Sequence, residues 1–428
     1  LYRPNLLSVI RYLLSLALSP VLLLGLTTIG AYGVAYYSIG VLVPVIAEDT
    51  GWPNGALSGA FSLGTLIQGG IALFCGRLFD RHGSRPVLAP ALAIGASLLF
   101  VSSFAEASWQ FVAAWALGAA AIGGGLYYNV TMPVTARLFP EHRAAAFSGL
   151  TFLGALASPI FYPLAAWFID MWGWRGALQA LVVVMVVCIA PAALLVRAPG
   201  APERGVKPLR SGLSEALRDA TVHRALVVFA LAAFANSALL LHQVSIMEAM
   251  GLSLAAASGF AGARGFFQIP GRVLLTPLTR WFGVRGLVGI CYVFAASATF
   301  ALLLALGAGG TKVLLVYFTV VSGISLGLLS PLNGLFQAEV YGDARIGTLS
   351  GVNVIVVSTS GAIGAWVGGL AVDVTGGFEA LLVAGAVLQL SAVAALRWQH
   401  AAATVLEAEE PENPRRPRIV APPSRSRA

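Results

Sequence analysis

Residues 76–86 read GRLFDRHGSRP, a strip that carries Arg77, Asp80, Arg81 and Arg85 between two long apolar runs. Residues 276–286 read TPLTRWFGVRG and again separate two apolar runs. Arg280, Gly283 and Arg285 repeat the places of Asp80, Gly83 and Arg85 at an offset of 200. Two more echoes share nearly that offset. Arg143 with Ser148-Gly149 returns as Arg345 with Ser350-Gly351, 202 residues on. Asp170, Gly173 and Ala177-Leu178 return as Asp373, Gly376 and Ala380-Leu381, 203 residues on. Three matches at a nearly constant offset, each at the same place between apolar runs, indicate a duplicated unit.

The units are membrane-embedded. The 428 residues are 58% hydrophobic and 10% charged, with a mean hydropathy of +0.84. A soluble chain is about a quarter charged. Windows of about 20 apolar residues mark membrane helices. Twelve are found, at 21–46, 56–75, 87–105, 109–136, 144–168, 175–196, 225–247, 255–278, 287–308, 312–336, 347–372 and 378–396. The expected fold is therefore an all-α membrane protein of two pseudo-symmetric six-helix bundles, 21–196 and 225–397. Internal repeats of this kind build transporters. A Pro-, Gly- and charge-rich linker at 197–224 joins the bundles, with a short amphipathic helix expected near 211–220. Residues 1–20 read as a cytoplasmic or interfacial lead-in, and 398–428 has the composition of a disordered cytoplasmic tail.

The net charge of +8 follows orientation rather than a polyanion partner. If both termini are cytoplasmic, every Lys and Arg lies in a cytoplasmic segment except Arg175, Lys312, Arg264 and Arg272. That is the positive-inside pattern of a multi-pass cell-membrane protein. No nucleic-acid partner is implied. Membrane lipid is the expected surround, and a monomer is the expected state. Cys75, Cys188 and Cys291 stand far apart in apolar spans, without metal or disulfide spacing. No nucleophile–base pair, metal cluster or nucleotide loop is present in the sequence, and Gly123–Gly125 lie inside a span. Neither an enzyme nor a cofactor is expected.

GRLFDRHGSRP resembles the loop between helices two and three of the major facilitator superfamily. Gly76 would permit close helix contact, Gly83 a tight turn, and Asp80 would meet a helix N-terminus across the domain interface. The resemblance implies that Asp80, Arg81 and Arg85 lock the outward-facing state. Three further stretches are similar to the monocarboxylate-transporter and oxalate/formate-antiporter branch: YYSIGVLVPVIAEDTGWPNGALSGAFSL (36–63), GWRGALQAL (173–181) and HQVSIMEAMGLS (242–253). In that branch an Arg in span eight binds the substrate carboxylate. Counting eight back from Arg280 gives Arg272. Three departures stand. Gln268 occupies the place of the relatives' Asp, span one has Tyr32, Tyr36 and Tyr37 but no Lys, and span eleven has no Lys. The relatives' coupling chemistry does not transfer whole.

Arg264 and Arg272 lie within one apolar span, while all 18 acids lie in loops, tails or at helix ends. A guanidinium stays charged at membrane depth and needs an anion or carbonyls. Two readings are open for each. Arg272 either binds an anion or snorkels toward the cytoplasm, and Arg264 either binds an anion or caps carbonyls freed by Pro270. Arg264, Gln268 and Arg272 form one helical stripe, with the arginines about 12 Å apart along the axis. His242, near the outer end of span seven, is either a neutral bonded histidine or a proton-responsive group. Glu248 follows it as a candidate for proton coupling. By the resemblance, spans one, four, seven and ten line the cavity. Tyr36, Tyr127, Tyr128, Asn129 and Asn333 then either face substrate or pack between helices, and Trp366 is a further wall candidate. The expected function is secondary transport of a small organic anion, a mono- or dicarboxylate, as proton symport or anion exchange. An efflux carrier for amphiphilic compounds and a non-transporting anion receptor are the alternatives.

Overall fold

The computed structural model describes residues 19–200, 220–308, 311–341 and 346–409. These are helical throughout, with no strand among the described residues. Ten stretches are long and apolar enough to cross a bilayer. Two of them, Ala145–Leu195 and Leu254–Gly307, run 51 and 54 residues. At about 1.5 Å per residue each is more than twice the ~30 Å hydrocarbon core. Each contains one glycine in left-handed backbone, Gly173 (φ 63) and Gly283 (φ 67). Side-chain neighbours show that the chain doubles back there. Leu153 lies by Gly25, Phe161 by Gly33, Trp174 by Asp49, and Cys188 again by Gly30. In the second stretch Arg264 meets Ser322, Arg285 meets Glu339, and Ser297 returns to Tyr317. The ten stretches therefore make twelve passes.

They are labelled in chain order. The first half comprises α1 (Pro20–Thr50), α2 (Asn54–His82), α3 (Arg85–Ser102), α4 (Ser108–Leu138), α5 (143–172) and α6 (174–195). The second comprises α7 (Ala220–Ala249), α8 (254–282), α9 (284–307), α10 (Lys312–Tyr341), α11 (Ile346–Thr375) and α12 (Glu379–Glu409). One end of the bundle carries the 83 and 283 turns and the linker, and is called the linker end. The other, with the turns at Gly51, Gly173 and Gly376, is called the far end.

Two boundaries differ from expectation. The helix of α12 continues to Glu409, where a tail was expected from 398. Residues 398–409 include four alanines and no Gly or Pro, so nothing stops the helix. The Pro and Arg that give the tail its disordered composition begin at 411. The lead-in up to residue 18, the amphipathic helix near 211–220 apart from Ala220, and Arg345 lie outside the described residues.

The cores show how the halves meet. The larger one runs through α1–α6 and continues into the second half through Leu241, Val244, Ala261, Leu302, Phe318 and Ala365. The linker side of the second half has its own core, built on Phe229, Val288, Tyr292, Leu332, Phe336 and Leu396. The halves thus share apolar packing toward the far end and not toward the linker end.

Small residues allow the far-end closure. A side chain at Gly369 of α11 would collide with Ser58 of α2, and one at Gly265 of α8 would collide with Ser158 of α5. Such close approach gives dispersion contacts where lipid supplies no hydrophobic drive. Asp373 adds a polar latch between the halves. Its Oδ1 accepts from the Asn54 N–H at 2.9 Å and from Asn54 Nδ2 at 3.1 Å. Its Oδ2 accepts from the Gly55 N–H at 2.7 Å. A carboxylate from α11 therefore caps the N-terminus of α2, where unpaired N–H groups and the helix dipole favour an anion.

The loop that carries the motif behaves differently from expectation. Among the described residues Asp80 pairs with Arg137 of α4, in its own half. Arg137 also lies over the Phe79 ring at 3.9 Å and donates to Pro199 O at 3.0 Å. Gly83 makes the expected turn (φ 81), but nothing approaches Gly76, so no close helix contact uses it here. Ser84 Oγ donates to Val196 O and accepts from the Ala198 N–H, both at 2.9 Å, and Arg85 donates to Leu194 O at 3.1 Å. The loop holds the end of α6 and the first linker residues. Arg81 is exposed.

Candidate functional site

A cavity of about 350 Å³ lies where the shared core ends, between the two halves. Its first-half wall is aromatic and amide-bearing, with Tyr32, Tyr36, Phe61, Thr65, Gln68 and Tyr127. The second-half wall includes Asn236, Ser237, Tyr292, Ser330, Asn333, Ser358 and Gln389. Among the described residues no charged side chain lines it.

Local helix defects shape the first wall. A π turn, Gly33–Tyr37, interrupts α1, and such single turns recur at functional sites. The Ser38 hydroxyl donates to Gly33 O at 2.8 Å, which satisfies a carbonyl at the defect. Opposite, α4 breaks at Tyr127 (φ −80, ψ −175). Asn129 Nδ2 donates to Gly124 O at 2.8 Å and occupies a carbonyl at the break. The two defects face each other, and Tyr32 stacks on Tyr127 with centroids 3.8 Å apart and planes 12° apart. Tyr36 lies 5.3 Å from Phe61 and Tyr32 lies 5.3 Å from Tyr128.

The sequence-predicted residues do not all gather here. Tyr36, Tyr127 and Asn333 line the cavity. Tyr128, Asn129, Gln268, Arg264, Arg272 and Trp366 are not in its wall. Trp366 is 45% exposed and lies against Gly59 of α2, outside the cavity. Tyr32, Gln68, Asn236, Ser237, Tyr292 and Gln389 were not singled out as wall residues. The signal for several of them was in the sequence: amides at Gln68, Asn236 and Gln389 stand alone in apolar spans.

The two arginines have separate surroundings. The helix of α8 is interrupted at Phe267, because Pro270 has no N–H to bond the carbonyl four residues earlier, at Phe266. The stripe 264–268–272 is therefore not one continuous helical face. Arg264 is 3% exposed. Its Nε donates to Ser322 Oγ at 2.9 Å and its Nη1 to Gln243 Oε1 at 3.0 Å. The guanidinium lies 5.4 Å from the Phe318 ring centroid. Gln243 Nε2 in turn donates to Tyr162 OH in the first half at 2.6 Å. Gln243 was not anticipated, and it links Arg264 of α8 to α5 of the other half. Arg272 is half-buried. Its Nη1 donates to the backbone carbonyl of Thr151 in α5 at 2.9 Å, across the halves. The Tyr128 hydroxyl lies beside Gly154, three residues along the same helix from Thr151. No ion pair among the described residues involves either arginine.

His242 is 1% exposed. Its Nε2 is 3.3 Å from Ser58 Oγ and 3.3 Å from Ala365 O, so one ring nitrogen ties α7 to both α2 and α11. Glu248, at the far end of α7, has one buried carboxyl oxygen without a partner. Among the described residues no group of three or more His, Cys, Asp or Glu is placed to hold a metal.

A family model described as the Major Facilitator Superfamily matches residues 24–365. Monocarboxylate transporter 13 of Bos taurus is 26% identical over 351 residues, 78% of this chain and 78% of that protein. Multidrug resistance protein D of Escherichia coli (strain K12) is 29% identical over 147 residues, 33% of this chain and 37% of that one. The solved structure of the nucleoside transporter NupG superposes with a TM-score of 0.75 at 14% identity, covering 89% of this chain and 98% of that one. That likeness concerns the fold. With twelve passes in two repeated halves and a family match over most of its length, the chain belongs to the major facilitator superfamily, as a multi-pass membrane transporter and not an enzyme.

Proposed function

We propose that the chain carries a small organic anion, a mono- or dicarboxylate, across the cell membrane by alternating access. The linker end faces the cytoplasm, as the positive-inside distribution requires. The observation that carries this reading is Arg272. It is a permanently charged group in a membrane helix whose described hydrogen bond goes to a neutral carbonyl, Thr151 O. A carboxylate offers it a charge-assisted and bidentate partner, which is stronger than a bond to a backbone carbonyl. An arriving anion would compete with Thr151 for the guanidinium and release a contact between the halves. Substrate binding and the linker-end gate would then share one side chain. Similarity to a protein called monocarboxylate transporter 13 supports the same class.

The far-end contacts fit a coupling role for His242. Protonation of its ring would add a charge between α2, α7 and α11, at the contact that holds the far end shut. An inward pH gradient, imposed without a substrate gradient, drives accumulation in a symporter and does not in an exchanger. Loss of that drive in His242→Ala would assign His242 to the proton path, and unchanged drive would remove it.

A second reading is favoured by one observation: among the described residues the cavity lining holds no charge. An efflux carrier for uncharged amphiphilic compounds would need no more, and part of the chain resembles a multidrug resistance protein. Counterflow in proteoliposomes separates the two. A panel of carboxylates is compared with the amides of the same acids. Exchange of the acids and not the amides supports the anion reading, and the opposite result supports the second.

A further inference from the structure

The cavity is large and two-sided. Its volume of about 350 Å³ falls within the range of pockets for drug-sized ligands, so an acid of two or three carbons would leave most of it to water. One wall presents aromatic faces, led by the stacked Tyr32–Tyr127 pair and by Phe61. Ring faces prefer flat partners in offset or edge contact. The other wall presents amides and hydroxyls, among them Asn236, Asn333 and Gln389. Asn333 is the informative one. Its Oδ1 is buried and has no hydrogen-bond partner, and a turn of the amide presents it to the cavity. A buried acceptor left unpaired is costly, so in the working transporter it needs a donor. Gln389 Oε1, by contrast, already accepts from Thr299 at 3.1 Å. Toward the linker side, Tyr32 leads to Tyr128, 5.3 Å away, whose hydroxyl lies beside Gly154, three residues from the Thr151 carbonyl that Arg272 bonds.

From this arrangement we infer that the substrate is an aromatic acid that also carries a hydroxyl donor. The ring lies against Tyr32, Phe61 and Tyr127, the hydroxyl donates to Asn333, and the carboxylate points past Tyr128 toward Arg272. The carboxylate part rests on the anion reading above, whereas the ring and the hydroxyl are argued from the cavity alone. Asn333 acts here as a specificity-determining residue. A site built to bond a hydroxyl discriminates against the analogue that lacks it, because its own polar group is then stranded.

Counterflow with the full chain in proteoliposomes tests this with four probes: 4-hydroxybenzoate, benzoate, lactate and 4-hydroxybenzyl alcohol. The expected result is that wild type exchanges 4-hydroxybenzoate at least about ten-fold faster than benzoate or lactate. Asn333→Leu should bring 4-hydroxybenzoate down to the rate that the same variant shows for benzoate. Asn333→Ser, which keeps an acceptor, should retain part of the preference, and it serves if the leucine variant does not fold. Lactate exchanged as fast as 4-hydroxybenzoate overturns the inference and leaves the anion reading standing. Exchange of 4-hydroxybenzyl alcohol with no movement of the acids does the reverse: the anion reading falls and the aromatic hydroxyl site stands. A hydroxyl preference that survives in Asn333→Leu, or a wild type that moves none of the aromatic probes, overturns the inference.

Discussion

Arg264 and Arg272 are eight residues apart, yet the structure gives them different needs. Arg264 has donors to two neutral side chains and an aromatic ring beside it. Gln243 and Ser322 do for it what a carboxylate would otherwise do. Gln243→Leu would remove one of those acceptors and leave buried guanidinium N–H unsatisfied. A hydrogen bond to a charged group is worth about 1.5–3 kcal/mol. The variant should therefore unfold at a clearly lower temperature in detergent, measured by a thermal melt, and Gln243→Glu should not. An unchanged melting temperature in Gln243→Leu would mean that Arg264 is not held by this pair. Arg272 holds a single carbonyl and is half-buried, so its removal should leave the melting temperature nearly unchanged while transport is lost. The arginines stood out in the sequence as charges in an apolar span. Their neutral partners did not, because Gln243 and Ser322 belong to other helices and only folding brings them to Arg264.

At the scale of elements, the functional features are interruptions. The π turn in α1, the break at Tyr127 in α4 and the break at Phe267 in α8 place side chains where an ideal helix would not. Composition gave the spans because twenty apolar residues suffice to mark one. It could not give the breaks, since Gly124 and Asn129 find each other only once the helix has opened. The break in α8 was partly legible, because Pro270 removes a specific hydrogen bond. Small residues set the far-end contact between α2 and α11. Gly369→Val would collide with Ser58 and should open the far end. Cysteines placed at the far ends of α2 and α11 should then react with a membrane-impermeant thiol reagent faster than in the parent. Unchanged reactivity would show that this contact does not hold the closure.

For the whole molecule, the state is legible in its cores: shared at the far end, separate at the linker end. Alternating access requires the opposite arrangement in the other state, so contacts peculiar to this one set the balance. Asp373 is the clearest, with three hydrogen bonds to the start of α2. Loss of a helix N-cap costs about 0.5–2 kcal/mol. Asp373→Ala should therefore shift the population toward the far-end-open form by roughly 2- to 30-fold. Spin-label distances across the far end, measured by pulsed double resonance, would show the longer population grow. An unaltered distribution would make the cap incidental. In the sequence Asp373 stands only as the repeat of Asp170, and the loop motif points to Asp80. The duplicated pattern revealed the fold, but which copy of a loop bears a contact depends on which end is shut.

In the function proposed here, an anion from solution supplies the counter-charge that Arg272 lacks. The most direct measurement is counterflow of a radiolabelled carboxylate in proteoliposomes, with wild type, Arg272→Lys and Arg272→Ala at equal folded amounts. Expected are exchange by wild type, a residual rate for lysine, which keeps the charge but not the bidentate geometry, and none for alanine. Carboxylate exchange by Arg272→Ala at the wild-type rate would contradict it.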